Sequence, residues 1–191
     1  MKRWDLINTL IKNKNYQNYL EIGYGVGENF KKINIDKKIS VDPHVSVCTH
    51  NMSSDDFFEK NKETYDLIFI DGLHLYEQVK KDFYNSISIL NEGGTIVIHD
   101  CNPSTYEMQK RESGGGEWTG DVWKLIVHLR NKHDDLKVCV IDTDYGCGIV
   151  RVGEQKTIEF DDEITYEIFS ENRKEILNLV SVDEFMKSLI W

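Results

Sequence analysis

Short runs of β-forming residues alternate with segments of helical periodicity along most of this chain, and this alternation constrains its fold more than any other feature. Each run ends in a turn signal, and the next segment has a helical or mixed period. That order is typical of βαβ units around a largely parallel sheet. At 191 residues the chain has the length of one domain. We therefore predict a single doubly wound α/β domain over residues 1–191.

Seven strands are predicted from the β-forming runs. In chain order they cover residues 19–23, 39–42, 45–50, 67–71, 95–100, 137–142 and 148–152. Only residues 143–147 join the last two strands, which is too short a connection for a parallel crossover. The sheet should therefore be mostly parallel, with an antiparallel last strand.

The helical segments follow from the spacing of apolar residues. A stripe over residues 4–11 predicts a leading helix, and apolar positions every three or four residues from 79 to 90 predict a second helix. Residues 91–94 should end that second helix and turn the chain into the next strand. A Ser-x-x-Glu capping box at 181–184 predicts a terminal helix that includes Leu189.

Charge and hydropathy exclude several classes of partner. The chain has 23 Lys and Arg against 33 Asp and Glu, and its net charge of −10 repels a phosphate backbone or an anionic lipid surface. No apolar run approaches the ~20 residues that cross a bilayer, and Asp5 precedes any apolar stretch long enough for a signal peptide. We therefore expect a cytoplasmic protein that binds neither nucleic acid nor membranes. A homodimer is compatible with the sequence.

A glycine-rich turn follows the first predicted strand. Residues 20–27 read Leu-Glu-Ile-Gly-Tyr-Gly-Val-Gly, so three glycines occupy alternate positions before a helix start. Such a turn brings backbone amides close to a ligand and favours a carboxylate or a phosphate. Asp42 ends the next strand, directly before Pro43. In nucleotide-binding sheets, an acid at the end of this strand accepts hydrogen bonds from ribose hydroxyls. A tight bend without a ligand is the alternative.

Two further predicted strands end in acidic residues. Residues 69–74 read Phe-Ile-Asp-Gly-Leu-His, and residues 97–103 read Val-Ile-His-Asp-Cys-Asn-Pro. Ligands of open α/β sheets bind outside the carboxyl ends of the strands, so Asp71 and Asp100 should face one crevice. Each acid could instead form an Asx-turn or a helix cap. We expect His99 to support the site.

A second candidate region joins a glycine-rich loop to an amphipathic helix at residues 113–123. Trp118 is a candidate wall of a substrate pocket. Asp121 is a candidate hydrogen-bond partner for hydroxyl groups of that substrate, with capping of a helix as its alternative. An aromatic face beside a carboxylate suits a sugar or another polyol.

The order Glu-x-Gly-x-Gly-x-Gly, with Asp42 closing the next strand, resembles motif I and the acidic loop of class I S-adenosylmethionine-dependent methyltransferases. This resemblance covers residues 19–152 and implies their Rossmann-like seven-stranded sheet. It implies that Asp42 binds the ribose of S-adenosylmethionine. It also implies contacts to the methionyl part from Glu21, Gly23, Tyr24, Gly25 and Gly27, and an adenine site near Met52, Ser53, Ser54 and Asp55. Residues 52–55 could equally cap a helix.

The sequence Asp-Gly-x-His followed by Tyr-Glu, with His-Asp-x-Asn-Pro after the next strand, is similar to a more specific branch. That branch contains small-molecule O-methyltransferases of the macrocin and mycinamicin type. The similarity implies that Asp71 and Asp100 bind Mg²⁺, that Asp71 lies beside the cofactor, and that His74 accepts a proton from the acceptor.

The function implied is methylation of a hydroxyl group on a small molecule such as a sugar or glycan precursor. Two alternatives remain from the residues themselves. One is a module that binds the nucleotide without transfer, and the other is a nicotinamide-dependent oxidoreductase. Dinucleotide turns usually read Gly-x-Gly-x-x-Gly, which differs from the spacing found in residues 23–27.

Overall fold

A seven-stranded sheet with helices on both faces forms the centre of the computed structural model, which describes residues 1–160 and 164–188. The strands are β1 (Asn18–Ile22), β2 (Lys37–Val41), β3 (Tyr65–Ile70), β4 (Leu90–Ile98), β5 (Leu136–Ile141), β6 (Cys147–Val152) and β7 (Leu179–Val180). Their order across the sheet is β2-β1-β3-β4-β6-β5-β7. Strand β6 is antiparallel to both neighbours, and the other pairs are parallel. The predicted Rossmann-like, mostly parallel sheet with its antiparallel β5–β6 pair is confirmed.

Helices cover both faces because successive strand residues point to opposite sides. The helices are α1 (Arg3–Lys14), α2 (Glu28–Lys32), α3 (Ser54–Lys60), α4 (Tyr76–Ser88), α5 (Trp123–Lys132), α6 (Tyr166–Ile176) and α7 (Val182–Ser188). In β3, Ile68 and Ile70 belong to the apolar cluster that contains residues of α3 to α6. Leu67 and Phe69 belong to the cluster that contains residues of α1 and α7. The described helices include none that is long and apolar enough to cross a membrane.

The prediction of a strand over residues 45–50 is wrong. Those residues form turns, and only His50 makes an isolated bridge, to Val41. At that point the backbone N–H of Ser40 donates to the hydroxyl of Thr49 at 3.1 Å, so a side chain takes the place of a strand carbonyl. The seventh strand is instead β7, which pairs with β5 at the other side of the sheet.

The predicted end of the second helix is also wrong. Helix α4 stops at Ser88, and Leu90 already belongs to β4. Residues 91–94 lie inside that strand as a bulge, because the pairs Tyr65–Leu90 and Leu67–Thr95 leave the extra residues unpaired. Gly94 fits there because a Cβ atom would lie 2.8 Å from the carbonyl oxygens of Asn91 and Asp66.

The predicted helices at the two ends of the chain are present. Helix α1 buries the stripe of Leu6, Ile7, Leu10 and Ile11. At the start of α7, Ser181 N donates to the Glu184 carboxylate, and Glu184 N donates to Ser181 Oγ. This is the predicted capping box. Leu189, which the prediction included in this helix, lies outside the described residues.

Candidate functional site at the carboxyl ends of the strands

A cavity of about 660 Å³ opens where β1, β2, β3 and β4 end. These strands are neighbours and run parallel, so their carboxyl ends meet at one edge of the sheet. The predicted site residues that line this cavity are Glu21, Gly23, Tyr24, Gly25, Asp42, Ser53, Ser54, Asp55, Asp71, His74, Asp100 and Trp118. Gly27, Met52 and Asp121 do not belong to its lining.

The glycine turn after β1 is held by the carboxylate of Asp42. The backbone N–H groups of Tyr24 and Gly25 donate to Asp42 Oδ2 at 3.0 and 3.1 Å, and His44 N donates to Oδ1 at 2.8 Å. Gly23 has φ 93°, and a Cβ atom there would lie 2.0 Å from the carbonyl oxygen of Asp71. Only glycine therefore fits at this position. The glycine turn and Asp42 therefore line the same cavity.

Glu21 lies beneath the turn and is 1% exposed. The hydroxyl of Tyr19 donates to Glu21 Oε2 at 2.5 Å, and Asn29 Nδ2 donates to the same oxygen at 2.7 Å. Burial nevertheless raises the pKa of the Glu21 carboxyl group to about 7. The buried Oδ1 of Asn29 has no hydrogen-bond partner within the described chain, so Asn29 offers a free acceptor beside the cavity.

We expect Glu21→Gln to flatten the dependence of stability on pH. Because the pKa rises from 4.5 to about 7 on folding, this carboxyl group stabilises the fold below pH 4.5. That contribution is lost as pH rises through 7, and it amounts to about 3 kcal/mol at about 1.4 kcal/mol per pKa unit. Urea unfolding at pH 5 and pH 8.5 should therefore show a smaller decrease for the variant than for the wild type. The exposed Glu59→Gln is the control, and equal decreases in all three proteins would contradict the expectation.

Asp71, His74 and Asp100 come together beyond the turn, at the ends of β3 and β4. One ligand atom from each of the three lies within 4.8 Å of the others. His74 Nε2 is 3.4 Å from Asp71 Oδ1, and His74 Nδ1 is 3.2 Å from Asp100 Oδ2. Asp100 has φ 61°, a left-handed conformation that is strained for a residue with a side chain. Strain of this kind is concentrated at functional sites.

His99 contacts the carboxylates of both Asp71 and Asp100. Its Nδ1 lies 3.2 Å from Asp71 Oδ1 and 3.1 Å from Asp100 Oδ1. Neither this nitrogen nor His74 Nδ1 has a well-aligned hydrogen bond within the described residues.

The charges of this cluster stabilise one another. Burial opposes ionisation of Asp71, but His99 and His74 hold the pKa of its carboxyl group well below the usual range. Burial also opposes protonation of His74, yet Asp71 and Asp100 raise the pKa of its imidazole. Burial acts in the same way on His99, whose pKa is raised by Asp71, Asp100 and Asp144. The carboxylates and the imidazoles of the cluster thus favour one another's charged forms.

Trp118 forms a wall of the cavity beside this cluster. Its ring stacks on that of His74, with the ring centroids 4.9 Å apart and an interplanar angle of 24°. Its indole Nε1 donates to the carbonyl oxygen of Lys110 at 2.6 Å, which fixes the ring. Trp118 thus lines the cavity, and its contact with an acceptor stays a prediction.

Asp121 lies away from that wall and is buried. Its carboxylate accepts from the backbone N–H of Tyr76 at 2.7 Å and from Arg111 Nη1 at 2.8 Å. These contacts favour the capping alternative, although Asp121 caps α4 and not its own neighbour α5. The reason is that the chain before α5 packs against the start of α4, where it meets an unpaired N–H group.

Residues 52–55 include the predicted helix cap, and three of them line the cavity, while the adenine contact stays a prediction. Ser53 caps α3, because its Oγ accepts from Asp56 N at 3.1 Å. Ser53 and Asp55 also line the cavity, whereas Met52 packs against the apolar core. The Asp55 carboxylate is paired with Lys81 Nζ at 2.6 Å.

Two residues of the site, Arg3 and Asp144, were not predicted from the sequence. Arg3 Nη1 donates to Asp144 Oδ2 at 3.0 Å and lies 3.3 Å from His99 Nε2. Arg3 Nε lies 3.9 Å from Asp71 Oδ2. Neither residue belongs to a motif, and the contact joins the first helix to the β5–β6 turn. The sequence indicated only that Asp144 lies in the short turn between two strands.

Residues 15–101 match the family model that describes a methyltransferase domain. Comparison with curated proteins found no similar sequence. The matched segment contains β1 to β4, the glycine turn, Asp42 and the Asp71, His74 and Asp100 cluster.

The fold is shared with solved structures of low sequence identity. Cofactor-bound Rv0187 from MTB has a TM-score of 0.61 and 15% identity, covering 81% of this chain and 82% of that chain. The O-methyltransferase TomG from Streptomyces achromogenes, in complex with SAM, has a TM-score of 0.58 and 13% identity, covering 78% and 79%. The O-methyltransferase from Bacillus cereus, in complex with SAH, has a TM-score of 0.53 and 14% identity, covering 79% and 80%.

Proposed function

We propose that this chain, whose β1 to β4 segment matches a methyltransferase domain, transfers a methyl group from S-adenosylmethionine to a hydroxyl oxygen of a small molecule. The carrying observation is that the Asp42-bound glycine turn shares one cavity with the cluster of Asp71, His74 and Asp100. A nucleoside cofactor and an oxygen nucleophile can meet there. The family match and the O-methyltransferases that share the fold support the proposal.

The charges of the cavity fit a cationic cofactor. The carboxylates that line it belong to Glu21, Glu28, Asp42, Asp55, Asp71, Asp82 and Asp100. S-adenosylmethionine carries a sulfonium and an ammonium group against one carboxylate, so this lining attracts it. The pyrophosphate of a nicotinamide dinucleotide would be repelled by the same acids. This difference disfavours the oxidoreductase alternative.

Within the cavity, each part of the cofactor has matching groups. Asp42 is the acceptor for the ribose hydroxyls, and the turn around Gly23 and Gly25 faces the methionyl part. Glu21 and the free Oδ1 of Asn29 are acceptors for the methionyl ammonium group. Ser53 and Asp55 line the cavity and form the adenine end.

His74 is the proposed general base for the transfer. Methyl transfer from a sulfonium depends chiefly on alignment of the acceptor oxygen with the methyl carbon. As the oxygen forms its bond to that carbon, the carbon–sulfur bond breaks and sulfur leaves as a neutral thioether. The hydroxyl proton passes to the unprotonated ring nitrogen of the neutral His74 imidazole, which Trp118 holds by stacking.

Asp71 and Asp100 are the proposed ligands of a Mg²⁺ ion. Mg²⁺ prefers oxygen ligands and commonly takes one or two carboxylates together with water and substrate oxygens. The donor set fits, because both carboxylates face the cavity and the imidazoles beside them lack well-aligned hydrogen bonds. The ion would supply charge that lowers the pKa of the acceptor hydroxyl.

We expect Asp71→Asn and Asp100→Asn each to weaken divalent-ion binding by at least about tenfold, because each removes one of two charged ligands. Titration of the protein with Mn²⁺, followed by electron paramagnetic resonance, measures free and bound ion directly. Asp55→Asn, in the same cavity but paired with Lys81, is the matched control and should bind as the wild type. Equal affinity in all four proteins would refute this metal site.

The acceptor is proposed to be a sugar or glycan precursor. The Trp118 ring beside the Asp71 and Asp100 carboxylates suits a polyol, whose apolar face stacks while its hydroxyls bind the acids. The Asp-Gly-x-His and His-Asp-x-Asn-Pro motifs resemble those of macrocin- and mycinamicin-type enzymes. The net charge of −10 favours a small-molecule acceptor over a nucleic acid. A cytoplasmic location is also part of this proposal.

Two measurements test the proposed function. Calorimetry with S-adenosylmethionine, S-adenosylhomocysteine and NAD should show binding of the first two compounds only. NAD binding without binding of either sulfur compound would overturn the proposal. Mass spectrometry of a panel of sugars, alcohols, phenols and amines then identifies the methylated acceptor. Cofactor binding without methylation of any member would favour the alternative of a binding module.

A further inference from the structure

One guanidinium group lines the cavity among seven carboxylates. It belongs to Arg3, in the first turn of α1, and no other Lys or Arg side chain is part of the cavity lining among the described residues. Arg3 precedes the segment that matches the methyltransferase domain, residues 15–101. The family match therefore gives this residue no role, although it lies on the cavity wall.

Asp144 holds Arg3 in place. Its Oδ2 accepts from Arg3 Nη1 at 3.0 Å and from the Arg3 backbone N–H at 3.1 Å. The Asp144 side chain is only 1% exposed, and burial opposes its charge, yet His99, Lys2 and Arg3 hold the pKa of its carboxyl group well below the usual range. The pair is therefore a fixed, charged contact and not a mobile surface ion pair.

The turn that presents Asp144 is strained and firmly attached. Asp144 and Tyr145 have φ 48° and 63°, so two consecutive residues with side chains are left-handed. Backbone N–H groups of Cys101 and Asn102 donate to the carbonyl oxygens of Gly146 and Tyr145 at 3.0 and 2.8 Å. The turn is thus fixed to the end of β4, directly after Asp100, and Arg3 is fixed to the turn.

The guanidinium group of Arg3 keeps unused hydrogen-bonding capacity. Arg3 Nε is buried and has no hydrogen-bond partner within the described chain. Its nearest carboxylate oxygen, Asp71 Oδ2, lies 3.9 Å away, beyond hydrogen-bond distance. Asp71, which Arg3 approaches, adjoins the glycine turn, because a Cβ atom on Gly23 would lie 2.0 Å from the Asp71 carbonyl oxygen.

We propose that Arg3, positioned by Asp144, binds the carboxylate of the methionyl group of the cofactor. This inference rests on the proposed function. The cofactor has a single anionic group, which the seven acids of the cavity would repel. Among the described residues, Arg3 has the only guanidinium in the lining, and it lies next to Asp71, which adjoins the glycine turn. A guanidinium pairs with a carboxylate through charge-assisted hydrogen bonds of defined geometry. The alternative holder of that carboxylate is the set of backbone N–H groups at the start of α2.

Two ligands that differ only in the carboxylate test this assignment by calorimetry. One is S-adenosylhomocysteine, and the other is its decarboxylated analogue, 5′-(3-aminopropylthio)-5′-deoxyadenosine. Arg3→Met should weaken binding of the first by roughly 10- to 100-fold, the loss expected for a charge-assisted hydrogen bond. It should weaken the analogue by less than about threefold, because the analogue has no carboxylate to lose. Lys12→Met, an exposed change on the same helix, should alter neither affinity.

Each other outcome overturns a stated claim. Unchanged binding of S-adenosylhomocysteine by Arg3→Met would assign the carboxylate to the amides of α2 and would refute the role of Arg3. Equal losses for both ligands would show a general change in the cavity and would refute it too. Arg3→Gln, checked by circular dichroism, replaces Arg3→Met if the latter does not fold. Failure of the wild type to bind either ligand would instead overturn the proposed function, on which this inference rests.

Discussion

Replacement of Asp42 with alanine should lower the affinity for S-adenosylhomocysteine by roughly 100-fold or more. The carboxylate accepts from the N–H groups of Tyr24 and Gly25 and lines the cavity, and we propose that it has a second task as the acceptor for ribose hydroxyls. Hydrogen bonds to charged groups contribute about 1.5–3 kcal/mol each, and about 1.4 kcal/mol corresponds to a tenfold change in affinity. Loss of both tasks therefore exceeds the effect of any one contact.

Calorimetry on three variants separates these tasks. Asp42→Asn retains one acceptor oxygen and should lose less affinity than Asp42→Ala. Asp71→Ala removes a carboxylate from the same cavity, but it should weaken the cofactor far less, because Asp71 is assigned chiefly to the metal and the acceptor. A greater loss in Asp71→Ala than in Asp42→Ala would contradict the division of roles between these acids.

The contact between the glycine turn and Asp42 could be predicted because both ends of it follow from strand positions. Parallel neighbouring strands end at the same edge, so acids and turns that close them must meet. The same reasoning brings Asp71 and Asp100 together. His74 follows three residues after Asp71, and that short separation places it in the same cluster.

Other parts of the fold depend on contacts that a residue pattern does not contain. Residues 45–50 have strand composition, yet the side chain of Thr49 takes the N–H group that a strand would have used. Asp121 is a residue type that commonly caps the helix following it, but the N–H group it binds belongs to Tyr76, on α4 and not on α5. In both cases tertiary contacts override local preference.

The Arg3–Asp144 pair shows the clearest limit of sequence reasoning. Neither residue repeats a motif, and the pair forms only because α1 and the β5–β6 turn pack against the same end of the sheet. Asp is one of the residue types that can adopt the left-handed conformation found at Asp144, but an Asp in the sequence does not by itself predict that conformation. Contacts of this kind become visible only when the whole fold is known.

Replacement of His74 with alanine should reduce the rate of methyl transfer by roughly 10²- to 10⁴-fold, the usual contribution of a general base. The cofactor affinity should stay within about threefold of the wild type, because no assigned cofactor contact is removed. Single-turnover measurements with bound S-adenosylmethionine and the acceptor found in the panel separate the two quantities. A wild-type rate in the variant would refute the role of His74 as a base.

Chemical rescue distinguishes a lost base from a lost wall. Trp118 stacks on the His74 ring, so His74→Ala leaves a space beside the indole that free imidazole can enter. Added imidazole should restore part of the rate in His74→Ala. It should not restore Trp118→Leu, whose defect should appear as a raised KM for the acceptor. If imidazole rescued neither variant while both bound the acceptor normally, proton transfer would have to be assigned to another group, and His99 is the nearest alternative because it contacts the same two carboxylates.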